Sequence, residues 1–146
     1  MENIMNYSAL PFSVRENIVT AQRLAWKRLA ASGTWWDGAT RVAIASEARQ
    51  AQHCKFCAAR RKALSPQAIH GQHDSKGLLS DALTEAIHRI VTDQSRLTKA
   101  FYSTALKSGI SDGEYVETIG VIATVIAIDG FTRAIGLPQF SLPDPE

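Results

Sequence analysis

Cysteine is scarce in this chain of 146 residues: there are two, at positions 54 and 57. A framework of stapling disulfides is thereby excluded, and a packed core must hold the fold. Five prolines and nine glycines are too few for polyproline or low-complexity tracts, and no internal repeat is visible. No stretch alternates apolar and polar residues over a strand's length, which removes a sheet-based fold. No apolar run approaches the roughly 20 residues needed to cross a bilayer. The longest, GVIATVIAI at 120–128, stops at Asp129. The opening MENIMNYSAL has an acid at position 2 and lacks the basic-then-apolar pattern of a leader. A cytoplasmic location is therefore expected, with no membrane partner, and there a disulfide would be transient and catalytic rather than structural.

A large excess of one charge is also missing. Sixteen Lys and Arg stand against 14 Asp and Glu, a net of +2, yet the two halves differ. Residues 1–73 hold 10 basic and 4 acidic side chains, and residues 74–146 hold 6 and 10. The densest basic cluster, Arg60-Arg61-Lys62, is too short for a nucleic-acid surface, so no nucleic-acid partner is expected. Halves of opposite sign suit association of the chain with itself. What the chain does have is an apolar fraction of 45% with three Trp and five Phe. That is enough for one hydrophobic core, and a single domain over 1–146 is expected.

The pattern is helical throughout. Ser13-Val14-Arg15-Glu16 has the form of a capping box, followed by Ile18, Ala21, Leu24, Ala25 and Leu29 at helical spacing up to Ser32-Gly33. A second helix is expected from Thr34 or Asp37 through RVAIASEARQAQ, with Val42, Ala45, Ala48 and Ala51 on one stripe of small residues. A third covers Cys54–Leu64 and ends at Ser65-Pro66. SPQAIHGQHDSKG (65–77) reads as a loop, and loops of that length in a compact domain tend to carry function. Leu83, Ala86, Ile87, Ile90 and Val91 mark a fourth helix. Asp93 could cap a fifth, which carries Leu97, Phe101 and Leu106 and ends at Gly109. A second capping box, Ser111-Asp112-Gly113-Glu114, opens a last helix running to Gly136-Leu137-Pro138. Ile119, Val121, Ile122, Val125, Ile126 and Ile128 wrap around it, which predicts a central helix and allows one shared between subunits. The expectation is an all-α bundle of about six helices that oligomerises through this central apolar helix.

Chemistry concentrates in HCKFCAARR at 53–61. Three readings of the Cys54–Cys57 pair stand open. In a dithiol redox centre, the helix N-terminus and the cations His53, Lys55, Arg60 and Arg61 favour thiolate, which a peroxide oxidises and the second thiol resolves. In a zinc site, Cys54 and Cys57 are completed by His70 and His73, whose spacing is one residue short of the usual pattern. In the third reading, the two are buried, inert core residues.

Three blocks carry a resemblance to a known family: GTWWDGATRVAIASEARQAQHCKFCAARRKALSP, IHRIVTDQSRLT and ISDGEYVETIGVIATVIAIDGFTRAIGLP. Together they resemble the alkylhydroperoxidase D-like branch of the carboxymuconolactone decarboxylase superfamily, over residues 22–142. The resemblance implies an all-α homo-oligomer with the CxxC at the start of a helix. It also implies thiol-dependent reduction of a hydroperoxide substrate through Cys54 and Cys57, with electrons returned by a dithiol donor protein, and no metal, haem or flavin cofactor. It places Val42 and Arg61 where such enzymes carry the glutamate and histidine of a proton relay, so the relay itself does not carry over.

Glu47, seven residues before Cys54, would share a face with it on a continuous helix, which makes it the candidate general base for a cysteine. His53 is expected at the surface, and His88 as a core or edge histidine of the fourth helix. Glu117 and Asp129 interrupt the apolar last helix and need partners, functional or structural. Asp93, Arg96 and Thr98 suggest a cap, Tyr102 and Tyr115 pocket or packing residues, and Trp35 and Trp36 core and interface anchors. Two other functions are consistent with these residues: a lyase acting on a ring lactone, independent of the cysteines, and an oligomeric or redox-sensing scaffold without turnover.

Overall fold

A computed structural model describes residues 5–146, and among them every regular element is helical. The first four residues of MENIMNYSAL lie outside the described residues. The six α-helices are α1 (Glu16–Ala30), α2 (Gly38–Ala51), α3 (Lys55–Lys62), α4 (Asp81–Thr92), α5 (Lys99–Lys107) and α6 (Asp112–Ala134). Short 3-10 turns at Pro66–Ala68 and Gln94–Arg96 punctuate the connections.

Local chemistry explains most of the boundaries. The Asp37 side chain accepts from the Thr40 amide, so α2 starts there rather than at Thr34. Ser80 and Thr98 cap α4 and α5 in the same way. Ser111 and Glu114 form the expected capping box. The Ser13 box does not form: α1 starts at Glu16 behind Arg15, with no side-chain cap, and Ser13 is left outside the helix. Asp93 does not cap α5 either. Its carboxylate is bound by Arg96, whose other nitrogens reach the carbonyls of Arg60 and Ala63, so it ties α4 to the end of α3. At the far end of α6, Gly136 takes φ of 81°, a conformation a side chain disfavours. The Leu137 amide then closes on the Thr132 carbonyl.

One apolar cluster joins Trp26 and Leu29 of α1, Ile44 and Ala48 of α2, Leu83 and Ile87 of α4, and Val121, Ile122 and Val125 of α6. Burying each large side chain of this kind stabilises the fold by about 1.5–3 kcal/mol. The innermost element is α2, which packs on α6, α4 and α1. Its Ala45, Ala48 and Ala51 are buried, as the small-residue stripe predicts. The last helix is less enclosed than its sequence suggests. Tyr115, Thr118, Val121, Ile122, Val125 and Ile128 face inward, but Val116 is 63% and Ile119 37% exposed. By length and composition α6 is the one helix among the described residues that could cross a membrane. Two carboxylates anchor it within the bundle instead. Asp129 is 4% exposed and accepts from Nε and Nη2 of Arg49 at 2.9 and 2.8 Å. Glu117 accepts the amides of Thr34, Trp35 and Trp36 and pairs with Arg41 at 3.3 Å. Gly33 is required by that approach, since a Cβ there would stand 2.2 Å from a Glu117 oxygen.

Glu117 and Asp129 are thus structural. Trp36 is an interior anchor, its indole donating to Thr118 Oγ1 and the Glu114 carbonyl. Trp35 is 53% exposed and lies across Gly113. Tyr102 and Tyr115 stack edge to face. The irregular segment after α6 is fastened at three points: the Trp26 indole donates to the Ser141 carbonyl, Arg49 to the Phe140 carbonyl, and the Glu146 amide to the Ala30 carbonyl.

Candidate thiol–imidazole site

The second and third helices are separate, so the continuous helix on which Glu47 and Cys54 would share a face does not form. α2 stops at Ala51, and Cys54, with extended backbone, is the residue from which α3 begins. Cys57 falls in the first turn of α3. Glu47 and Cys54 therefore do not share one helical face, and Glu47 is not bonded to either sulfur. Its carboxylate instead reaches His88 on α4, with Oε1 2.7 Å from Nε2. The other ring nitrogen, Nδ1, lies 3.2 Å from Cys57 Sγ. A carboxylate only accepts, so Nε2 carries the hydrogen and Nδ1 turns a lone pair towards the thiol. Glu47 is thus linked to the dithiol through His88. All of these groups are interior: Glu47 is 1% exposed, His88 0%, and each cysteine 2%.

The loop at 65–77 supplies the second histidine. His73 Nδ1 lies 3.6 Å from Cys54 Sγ and 3.5 Å from Cys57 Sγ, and its Nε2 meets Glu85 of α4 at 2.5 Å. Glu85 is held in turn by both terminal nitrogens of Arg60 on α3. The loop is pinned where it crosses the site. The Lys76 amide donates to Glu47 Oε2, Gln50 donates to the Asp74 carbonyl, and Asp74 takes the Lys55 amide, which caps α3 from outside. The Asp74 amide donates to Cys54 Sγ at 3.3 Å. The ring of Phe56 meets His73 edge-on and carries the Arg60 guanidinium over its face.

The two imidazoles are tuned in opposite directions. Burial pushes His88 down, against the pull of Glu47, so it is neutral. Burial also opposes charge on His73, but Cys57, Glu85 and Cys54 outweigh it and raise its pKa to about 10. Burial likewise opposes charge on Glu85, yet His73 and Arg60 bring it down to about 2. Cys54 loses from burial and gains more from the amides of Cys57 and Asp74 and from His73, so its thiol lies below the usual range. The arrangement holds one acceptor imidazole against Cys57 and one donor imidazole against both sulfurs. Beyond Glu85 a cavity of about 480 Å³ opens, lined by Arg60, Arg89, Arg96 and Phe101 among others.

Of the residues singled out in the sequence, Cys54, Cys57, Glu47 and His73 come together. His70 is exposed and outside the group, so the quartet of Cys54, Cys57, His70 and His73 is corrected: the fourth member is His88. His53 is exposed, as expected. Val42 is half-buried on α2 and Arg61 exposed on α3, and neither touches the sulfurs. His88 is the residue the sequence reading undervalued. Its one signal was a histidine set into the apolar stripe of α4, a position where a polar ring must find buried partners. Arg60, expected as a cation near the dithiol, acts through Glu85, whereas Glu85 and Asp74 carried no signal distinguishing them from a solvated helix or loop surface. The chain matches no protein-family profile, no curated protein and no solved structure.

Proposed function

We propose that the protein is a dithiol oxidoreductase that reduces a hydroperoxide with Cys57 as the attacking thiol and Cys54 as the resolving one. The observation that carries this reading is the continuous chain Glu47–His88–Cys57, a carboxylate, an imidazole and a thiol in hydrogen-bond sequence, with a second sulfur within 4.8 Å. It fills the chemical role that Val42 and Arg61 leave empty in the expected relay.

The cycle balances with these groups. His88 Nδ1 takes the Cys57 proton, and the sulfur attacks the terminal, hydroxyl-bearing oxygen of the hydroperoxide. The O–O bond breaks as the S–O bond forms, and the leaving alkoxide takes the proton back from His88 as an alcohol. Cys54, its proton held on His73 Nδ1, then attacks the sulfenic sulfur of Cys57 as the thiolate. The S–S bond forms as the S–O bond breaks, and hydroxide departs as water with that same proton from His73, whose Nδ1 touches both sulfurs. Two electrons have passed from the dithiol to the peroxide. An external dithiol, of the kind maintained in the cytoplasm, returns them by thiol–disulfide exchange. The cavity bordered by Glu85 supports an approach from the His73 side.

The test is intact mass of reduced, metal-free protein after brief exposure to one equivalent of an alkyl hydroperoxide. The expected result is loss of two hydrogens, mapped to a Cys54–Cys57 bridge. Cys54→Ser should instead gain one oxygen on Cys57, trapped by a sulfenic-acid reagent. No change in the wild-type mass would sink the proposal and favour the lyase or scaffold readings. A trapped oxygen on Cys54 in Cys57→Ser, with none on Cys57 in the converse variant, would reverse the assignment of the two thiols.

A further inference from the structure

The same four side chains have a second property that their redox chemistry does not require. We infer that Cys54, Cys57, His73 and His88 form a four-ligand binding site for a divalent zinc ion. This site does not rest on the peroxidase reading, since it needs only the reduced sulfurs and the two rings.

The geometry is that of a ligand shell. Each residue turns one donor atom inward, two Sγ and two Nδ1, and all four atoms lie within 4.8 Å of one another. Zinc–sulfur bonds of about 2.3 Å and zinc–nitrogen bonds of about 2.0–2.1 Å at tetrahedral angles place S and N about 3.5 Å apart. Three of the four sulfur–nitrogen separations are 3.6, 3.5 and 3.2 Å, and the fourth is within 4.8 Å. A common centre can therefore be reached by small side-chain shifts, with no backbone rearrangement. Two thiolates balance the +2 charge of the ion, so a neutral unit is buried. Soft sulfur with imidazole in a tetrahedral set selects zinc over magnesium, calcium or manganese.

The outer contacts point the same way. A metal-bound imidazole commonly donates its other N–H to a carboxylate, which fixes the tautomer and strengthens the ligand. Both rings do so here, His88 to Glu47 and His73 to Glu85. Each carboxylate is itself held, Glu47 by the Lys76 amide and Glu85 by Arg60. Cys54 Sγ also receives the Asp74 amide. Two carboxylate-oriented rings converging on both sulfurs complete a ligand shell as well as a proton relay. With the sulfur lone pairs committed to metal, the zinc-bound form and the disulfide exclude one another.

The experiment uses the full chain, reduced and stripped of metal, titrated with Zn²⁺ against a chromophoric chelator and, separately, with Co²⁺. One zinc per chain is expected. The cobalt form should show a thiolate-to-metal charge-transfer band and the intense visible bands of four-coordinate geometry. Cys57→Ser should weaken the charge-transfer band, and Glu85→Gln should lower zinc affinity about 10- to 100-fold. His70→Ala should bind as wild type does. Absence of stoichiometric zinc in the reduced wild type, or a cobalt spectrum without the thiolate band, would overturn the inference. So would equal losses in His70→Ala and His73→Ala. The wild-type spectrum stands on its own if a variant fails to fold. Failure here would leave peroxide-driven disulfide formation in metal-free protein untouched, so the two proposals fall separately.

Discussion

At the scale of single residues, the proposed chemistry turns on His88 and the carboxylate behind it. A positioned general base contributes typically 10²–10⁴-fold. His88→Gln is expected to slow peroxide-driven disulfide formation about a hundredfold, measured by quenched time points and intact mass. Glu47→Gln keeps the ring in place but weakens its orientation, so the loss should be smaller, and the pH profile of the rate should move with it. A rate unchanged in both variants would remove the Glu47–His88 pair from the mechanism. The two cysteines and Glu47 were legible in the sequence because their residue types and close spacing announce chemistry. His88 was not, because it lies 31 positions from Cys57 and only the packing of α4 against α3 joins them. Glu85 was hidden for the same reason.

Among the helices, the energetic weight falls on how α6 is tied down. Asp129 is buried against Arg49, and removing one partner of such a pair strands the other's charge. Arg49→Ala should therefore cost about 3–5 kcal/mol, read from a urea melt, and Asp129→Ala a similar amount. Ser111→Ala removes the hydroxyl half of the capping box and should cost about 1 kcal/mol. Glu117 supplies a pH signature. Burial raises its pKa, but the amides of residues 34–36 and Arg41 lower it further, so the folded value lies below the ordinary 4.5. Its stabilisation is fully present above 4.5 and fades as pH falls through the folded value. The difference in thermal midpoint between wild type and Glu117→Gln should be constant at neutral pH and shrink in acid. A difference that grows in acid would contradict this assignment.

Helix boundaries were readable where capping chemistry is local, as at Ser111 and at Gly136. They failed at Ser13, whose capping box does not form. The separation of the second helix from the third, expected between Gln52 and Cys54, is found between Ala51 and Lys55. The break is sustained by tertiary contacts: the loop at 65–77 brings Asp74 to cap α3 and His73 to the sulfurs. Long-range partners of that kind leave no local pattern to read.

For the whole molecule, the all-α architecture followed from periodicity, whereas the homo-oligomer expected from the sequence is a matter for solution measurement. Val116, Ile119, Ala123 and Ala127 are exposed on the outer side of α6. An assembly larger than one chain in sedimentation velocity, reduced to monomer by Ala123→Glu, would support that expectation, and a monomeric wild type would end it.

The buried sulfurs have a further use. They are enclosed by α2, the start of α3, the loop at 65–77 and α4, and each cysteine is only 2% exposed, so a bulky reagent reaches them when these elements part. An alkylating reagent in excess therefore reports the frequency of opening rather than thiol reactivity alone. Its rate plotted against denaturant separates local lifting of the loop, which is nearly insensitive to urea, from global unfolding, which is steeply sensitive. The two cysteines are thus an internal probe of how often this bundle opens.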